Sequence, residues 1–211
     1  MQTKTQTLDF APKKLPSQRR SQETFRAMVE ACAWLLPRKG YAGTTTNHIA
    51  ERAGVNIASL YEYFPGKDAI VVQVARGLVE RVLERLALGA AEVLEGREDQ
   101  ALRTWIQLIH DTVAREKGLI AVFMYQVPYT SQLEPIQAIS ARLLEQSQQV
   151  HGHAGHFFRP NLSDATLQLV INLVNSTIMQ LVMNPPKHYP KQELLDELIV
   201  RVEEWIGQRP N

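Results

Sequence analysis

The stretch TTTNHIAERAGVNIASLYEYFPGKDAI, residues 44–70, contains two short helical patterns separated by a turn. Thr45 can cap the first helix, since a threonine oxygen accepts a hydrogen bond from a free backbone N–H at a helix start. Gly54 follows where a helix end favours a left-handed residue. Asn56 is a good cap for the second helix, and Pro65-Gly66 should end it. The stretch therefore predicts a helix, a short turn and a second helix.

A longer helix is predicted before this stretch. Its apolar residues recur at steps of three and four, the spacing of a helix with one buried face. Ser17 or Ser21 can cap its start. Pro37 is expected to end it, because proline lacks a backbone donor and clashes with the preceding turn. The apolar positions are Phe25, Met28, Val29, Cys32 and Leu36. Together the three helices form one small unit.

The remainder of the chain also has helical periodicity, and no strand-like run is found in it. The predicted helices cover about 67–84 or beyond, 98–117, 118–127, 133–150, 163–184 and 191–207. The helix at 163–184 is apolar nearly all round, so it should be buried on all sides. The last two helices are candidates for a subunit interface. The expected fold is all-α.

Charge is unevenly distributed along the chain. The formal net charge is +1, but residues 1–67 contain ten Lys/Arg against five Asp/Glu, and the remainder contains 13 against 17. The front end, at +5, therefore suggests an anionic partner, with a solvated basic surface as the alternative. We expect a flexible basic arm at 1–16, a three-helix domain at 17–66 and a helical body at 67–211.

Cysteine usage and hydropathy indicate the compartment. The single cysteine, Cys32, cannot form an internal disulfide, which is typical of a reducing cytoplasm. Its place on an apolar helix face favours core packing over catalysis. The N-terminal sequence lacks an apolar signal segment, and no run approaches the roughly 18 apolar residues of a membrane span. We expect a cytoplasmic protein with no membrane partner.

From about Phe25 to Val74 the chain resembles the DNA-binding domain of the tetracycline-repressor (TetR) family of bacterial transcription regulators. The matching residues are Gly40-Tyr41, Thr44-Thr45, Ile49-Ala50, Ala53-Gly54-Val55, Leu60-Tyr61, Tyr63-Phe64 and Lys67. The resemblance implies a homodimer that binds a palindromic DNA operator, without enzymatic activity or a cofactor. It also implies a fourth helix leading to a ligand-binding body, a dimer interface made by the last two helices, and release of DNA when a small effector binds.

The resemblance places the recognition helix at about Ile57 to Phe64, in the DNA major groove. Leu60 and Phe64 are expected to pack internally, while Tyr61 and Tyr63 face the duplex. The expected DNA-contacting residues are Thr45, Thr46, Asn56, Ile57, Ala58, Ser59, Tyr61, Glu62, Tyr63 and Lys67. Many relatives carry lysine and glycine at the positions of Ile57 and Ala58. Phosphate affinity should then depend more on Lys67, Arg52 and the basic arm, and Ile57 could contact a thymine methyl.

A ligand pocket in the body should be apolar with a few polar anchors. The candidates for it are Trp105, His110, Phe123, Met124, Tyr125, Asn172, Asn175 and Met179. Core packing is the alternative for each of them, and Asn172 and Asn175 could instead form hydrogen bonds across a dimer seam. The effector is expected to be small and apolar or amphipathic.

The sequence was also compared with the patterns of metal sites, enzymes and carrier proteins. His151, His153 and His156 could suggest a metal site, but their spacing matches no helical pair and no carboxylate or cysteine is adjacent, which favours a surface loop and no metal. The sequence contains no nucleophile elbow, phosphate loop or metalloprotease motif, so an enzyme is not expected. The alternative to a ligand-responsive repressor is an all-helical carrier or interaction protein without specific DNA binding.

Overall fold

The computed structural model describes residues 10–97, 100–153, 158–159 and 162–207, with backbone alone at residue 140 and at 149–153. Within these ranges the fold is all-α, as predicted. The helices are α1 (Arg19–Gly43), α2 (Thr46–Ala53), α3 (Ile57–Tyr63), α4 (Lys67–Glu95), α5 (Ala101–Tyr125), α6 (Glu134–His153), α7 (Asp164–Met183) and α8 (Lys191–Ile206), with a short 3-10 turn at Thr130–Gln132. An isolated antiparallel bridge joins Phe158 and Gly207.

The chain forms two compact units. The first comprises the described part of residues 1–78 together with residues 121–136, and the second comprises 79–120 and the described part of 137–211. Helices α4, α5 and α6 each contribute residues to both units. The first unit therefore extends beyond the 17–66 range proposed for the three-helix domain, to the end of the third turn of α4 and into the α5–α6 connection.

Helix α1 does not end at Pro37, so that prediction was wrong. The helix continues through Pro37 and breaks at Gly40, which has a φ of 69°. Pro37 removes only its own backbone donor, and the buried side chains of Leu35 and Leu36 hold the turn before it. The start also differs from the prediction: the N-cap is Gln18, and Ser21 Oγ accepts a hydrogen bond from the Gln18 N–H at 3.2 Å.

Helix α5 is also longer than the sequence suggested. The ranges 98–117 and 118–127 were interpreted as separate helices, but they form one helix across Gly118. An isolated glycine lowers helix propensity by only about 1 kcal/mol, which is too little to end a helix whose neighbouring turns are buried. Leu119 and Val122, directly after the glycine, are both buried.

The core of the first unit is formed by α1 to α4. Met28, Leu36, Ile49, Leu60 and Phe64 are fully buried. The ring of Phe25 packs against that of Phe64, with centroids 4.7 Å apart. Cys32 is also buried, as expected for a core cysteine, and burial raises the pKa of its thiol to about 12.

In the second unit, α7 and α8 pack through an apolar stripe. Its buried residues are Leu167, Val170, Val174, Ile178, Leu181 and Val182 of α7, with Leu195, Ile199, Val202 and Ile206 of α8. Helix α7 is long and apolar enough to cross a membrane by length and composition, a test that core helices of soluble proteins also pass. The expectation that α7 is buried all round is wrong for the single chain, because Leu169 and Leu173 are about half exposed.

Candidate nucleic-acid interface

The helix–turn–helix geometry rests on three local contacts, all predicted from the sequence. Thr45 Oγ1 accepts a hydrogen bond from the His48 N–H at 3.2 Å and caps α2. Gly54 ends α2 in the left-handed conformation, with φ 67° and ψ 31°. Asn56 Oδ1 accepts from the Ala58 N–H at 2.8 Å and caps α3. Since each contact satisfies a backbone group that a helix end leaves free, the turn fixes where α3 begins.

Helix α3 has one packing face and one exposed face. Leu60 and Phe64 are fully buried, as expected, and Tyr61 is 44% exposed. Tyr63, however, is buried, so the expectation that it faces outward with Tyr61 was wrong. Residues three apart on a helix share a face, and Tyr63 therefore follows Leu60 into the core. Its ring meets the ring of Phe25 edge-on, with centroids 6.1 Å apart.

The exposed face of α3 adjoins the start of α2. The hydroxyl oxygens of Thr46 and Tyr61 are 3.1 Å apart, within hydrogen-bonding distance. The remaining residues expected to contact DNA on these two helices are accessible to different degrees: Thr45, Asn56, Ala58 and Glu62 are exposed, and Ile57 and Ser59 are partly exposed. The structure therefore places nine of the ten expected residues at or near the surface and buries Tyr63.

The described part of the N-terminal arm is attached to α3. The Lys13 N–H donates to the Tyr63 carbonyl at 2.8 Å, and Lys13 Nζ donates to the Tyr61 carbonyl at 3.2 Å. The Phe10 ring packs against the Tyr129 ring, with centroids 4.8 Å apart. Residues 10–16 thus lie along the helical unit instead of extending freely from it, while Lys4 lies outside the described residues.

Lys67, the first residue of α4, is held by Tyr41. Its ammonium group donates to the Tyr41 carbonyl at 2.8 Å and lies 3.8 Å from the centroid of the Tyr41 ring. A cation above an aromatic ring is stabilised by the ring quadrupole. The start of a helix also carries partial positive charge. The Lys67 ammonium group, held by Tyr41, therefore adds a positive charge at the start of α4, where the helix itself already favours an anion.

Asp68 joins this position to the α5–α6 connection. Asp68 Oδ1 accepts hydrogen bonds from the hydroxyls of Tyr41 at 2.7 Å and Tyr129 at 2.9 Å. Burial raises the pKa of both tyrosines, and the carboxylate of Asp68 raises each further. Gln126 Oε1 accepts from the Tyr41 N–H at 2.9 Å. We call Tyr41, Lys67, Asp68, Gln126 and Tyr129 the Tyr41 cluster. Its members come from three separate segments, so their contact could not be predicted from the sequence.

A second group that the sequence analysis missed surrounds Trp34. The guanidinium carbons of Arg38 and Arg52 each lie 4.0 Å from the centroid of the Trp34 ring. The four-residue spacing of Trp34 and Arg38 on one helix could have indicated the first contact. Arg52, expected to support phosphate affinity, is exposed and stacks on this ring.

The geometry agrees with what is known of similar chains. Residues 29–74 match the family model described as bacterial regulatory proteins, tetR family. Residues 29–74 therefore belong to the TetR family of DNA-binding domains. Over 75 residues the chain is 35% identical to the uncharacterized HTH-type transcriptional regulator YvkB of Bacillus subtilis. The aligned stretch covers 36% of this chain and 35% of YvkB. The chain thus spans about a third of the length of the curated relatives that it matches, and they are regulators, not enzymes.

Two solved structures share the fold of this chain over most of its length. A TetR-family regulator from Mesorhizobium loti matches with a TM-score of 0.71 and 15% identity, covering 90% of this chain and all of the other. The fatty acid degradation regulator FadR from Bacillus halodurans matches with a TM-score of 0.62 and 17% identity, covering 89% and 95%. At these identities the likeness concerns the fold alone.

The second unit of the chain contains a small apolar cavity of about 50 Å³. Of the eight residues expected at a ligand site, Trp105 and Asn175 line it. Met179, on the same helix as Asn175, and Asn172 are not among the lining residues; Asn172 is exposed and accepts a hydrogen bond from Gln168 at 3.1 Å.

The other four candidates do not line this cavity. Phe123 is buried in the first unit, Met124 and Tyr125 of that unit are exposed, and none of the three is among the residues that line the cavity. The periodicity of α5 could not reveal this, because the helix passes from one unit to the other. His110 is buried, with Nδ1 2.9 Å from Asp111 Oδ1.

The histidine group of the sequence analysis lies outside the described side chains. The backbone of His151 and His153 belongs to the end of α6, and His156 falls outside the described residues. The prediction of a loop was therefore wrong for His151 and His153, which end the helix, and it stays a prediction for His156.

Proposed function

We propose that this chain is a dimeric repressor that binds a palindromic DNA operator and is released by a small effector. The observation that carries the proposal is the capped α2–turn–α3 unit, whose α3 has an exposed face and is followed by Lys67 at the start of α4. An exposed recognition helix can enter the major groove, while flanking cations and hydroxyls bind phosphates and fix its orientation. The basic balance of residues 1–67 supports an anionic partner for this end of the chain.

The proposed roles follow from position. Lys67 and the start of α4 contact a phosphate, and the Tyr61 hydroxyl, oriented by Thr46, contacts another. Ser59 contacts a base edge in the major groove. Ile57 and Ala58 form an apolar tip at the start of α3, which suits the methyl group of thymine. Operator preference should therefore depend on the tip, and general affinity on the phosphate contacts.

The phosphate role is tested by the salt dependence of binding to a duplex selected from random DNA. Lys67→Met removes the charge and keeps an unbranched side chain. The logarithm of affinity should depend less steeply on the logarithm of salt, by roughly one phosphate contact, or about 0.9 in slope. The matched control is Lys117→Met, at an exposed lysine of α5 in the second unit. An equal slope for the Lys67 and Lys117 variants would contradict the assignment.

The base-reading role is tested by repeating the selection with Ser59→Ala, which should change the preferred sequence at one position in each half-site. Asn56→Ala is a less direct probe, because Asn56 also caps α3 and its loss costs about 1 kcal/mol of stability. A preference unchanged by Ser59→Ala would remove Ser59 from the base-reading set.

We propose that the dimer forms through α7 and α8. Leu169 and Leu173 are 49% and 46% exposed and lie four residues apart, on one face of α7, and Trp205 of α8 is 41% exposed. Covering such residues is the main favourable contribution in obligate dimers. Leu173→Glu should give a monomer in analytical ultracentrifugation, while Leu88→Glu, at a 65% exposed leucine of α4, should remain dimeric. A dimeric Leu173→Glu variant would place the interface elsewhere.

Repression, and not activation, is tested in cells by a reporter under the selected operator. Deleting the gene should raise reporter expression if the chain is a repressor and lower it if the chain is an activator. A DNA-binding role also implies a cytoplasmic location, with access to the chromosome.

A further inference from the structure

The cavity of the second unit has the apolar wall with a few polar atoms that is typical of a ligand site. It lies among α5, α6, α7 and α8, and most of its wall is aliphatic or aromatic, with Ile106, Val170 and Val174 among the buried lining residues. Polar side-chain atoms come from Ser147, Asn175 and the Trp105 indole. Among the described residues that line it, none is charged.

The absence of charge on the wall restricts the ligand. Moving an ionised carboxylate or ammonium group into an apolar cavity without a partner costs several kcal/mol, since its hydration is lost and nothing replaces it. A neutral apolar molecule gains instead from leaving water. A charged head group could be accepted only if it stayed outside the cavity.

Asn175 provides the one amide on the wall. It follows Leu167, Val170, Ile171 and Val174 on the lining stripe of α7. Within the described part of the chain its side chain makes no hydrogen bond, whereas the exposed Asn172 amide, on the same helix, is bonded to Gln168. An amide group offers both donors and an acceptor. It is therefore available to a ligand hydroxyl, carbonyl or amine.

We propose that this cavity binds an uncharged, compact apolar molecule carrying a single hydrogen-bonding group, which Asn175 recognises. This inference rests on the proposed function, because it names the chemical class of the effector. The volume of about 50 Å³ is below the roughly 150 Å³ of a protein cavity that holds benzene, so the wall must open by rotation of a side chain. Because a one-ring molecule requires the least opening, we take one ring as the size of the proposed ligand.

The test uses four probes with the same one-ring, one-carbon skeleton: toluene, benzyl alcohol, benzoate and benzylammonium. Binding to the full chain is measured at neutral pH by calorimetry and thermal shift, in the absence of DNA. Toluene and benzyl alcohol should bind, and each charged probe should bind at least about a hundredfold more weakly. Asn175→Leu should weaken benzyl alcohol about tenfold and leave toluene unchanged or tighter. Asn172→Leu, the matched control, should change neither.

Three results would overturn the proposal. They are binding of benzoate or benzylammonium as tightly as benzyl alcohol, equal effects of the Asn175 and Asn172 variants, and no binding of either neutral probe up to its solubility limit. Because these measurements omit DNA, they are independent of operator binding. A probe that binds as expected but leaves the operator complex intact would contradict the proposed release mechanism and leave the cavity assignment standing.

Discussion

Asp68 Oδ1 accepts hydrogen bonds from two tyrosine hydroxyls, at 2.7 Å from Tyr41 and 2.9 Å from Tyr129. Because the two bonds share one acceptor, removing both hydroxyls should destabilise the protein by more than the sum of the two single removals. Tyr129→Phe removes one hydroxyl and keeps the ring, so the contact with Phe10 at 4.8 Å is retained. Tyr41→Phe removes the other and keeps the ring beneath Lys67. The two variants and their combination form a double-mutant cycle on one carboxylate.

The magnitude follows from the charge and burial of the acceptor. A hydrogen bond to a charged group contributes about 1.5–3 kcal/mol, and partial exposure of Asp68 places these two near the lower end. Each single variant should lose about 1.5 kcal/mol, because the carboxylate keeps its other tyrosine. The double variant leaves a half-buried carboxylate without either hydroxyl, and should lose about 1 kcal/mol more than the sum of the two single losses.

The assay is urea unfolding at fixed protein concentration, followed by tryptophan fluorescence. Of the three tryptophans, Trp34 belongs to the first unit and Trp105 and Trp205 to the second. A background with Trp105→Phe and Trp205→Phe therefore leaves Trp34 as a reporter of the unit that contains the cluster. Single losses below about 0.5 kcal/mol, or a strictly additive double variant, would refute the reasoning that the two bonds share and satisfy one buried charge.

Two other predictions concern the same unit. Gly54→Ala should lower the free energy of unfolding by about 1 kcal/mol, because the φ of Gly54 is 67°. Gly66→Ala should change the stability little, since Gly66 has open space around it and no left-handed backbone. Equal losses in urea unfolding would contradict the assignment of Gly54 to a left-handed turn. Cys32 should resist thiol reagents at pH 8 until the chain unfolds. The folded pKa of Cys32, about 12, exceeds the unfolded value of about 8.5. The contribution of the buried thiol to the free energy of unfolding is therefore complete below pH 8.5 and declines as pH rises towards 12, by about 2 kcal/mol at pH 10. Cys32→Ala should lack that decline.

The helix–turn–helix could be predicted because its determinants are local. Thr45, Gly54 and Asn56 each act within three residues of themselves, and a single sequence contains that information. The family resemblance predicts that Tyr63 faces DNA, whereas its three-residue spacing from Leu60 predicts that it is buried. The structure agrees with the helical spacing. Pro37 was overestimated for a related reason: buried neighbours can keep a helix continuous through a local breaker.

The ligand site was harder to predict for a physical reason. Periodicity shows which face of a helix is apolar, but not which faces of different helices enclose a common space. Trp105 and Asn175 share one wall, while Phe123 lies on the same helix as Trp105 and belongs to the other unit. Such a division depends on where a long helix passes from one compact unit to another. Gly118 lies near that point and suggested a break in the helix, but a glycine does not indicate where the helix passes into another unit.

The Tyr41 cluster shows how the candidate phosphate contact depends on residues outside the helix–turn–helix. Tyr41 holds consecutive residues of α4 in two ways, with its carbonyl and ring on Lys67 and its hydroxyl on Asp68. Its own backbone is positioned by Gln126, whose Oε1 would lie 2.6 Å from a Cβ at residue 40, so a larger residue there would displace the Gln126 side chain, and the φ of 69° at residue 40 also favours glycine. The direction in which the Lys67 ammonium points is therefore determined jointly by the end of α1, the start of α4 and the α5–α6 connection. A change in that connection alters the orientation of Lys67 without any change in α2 or α3.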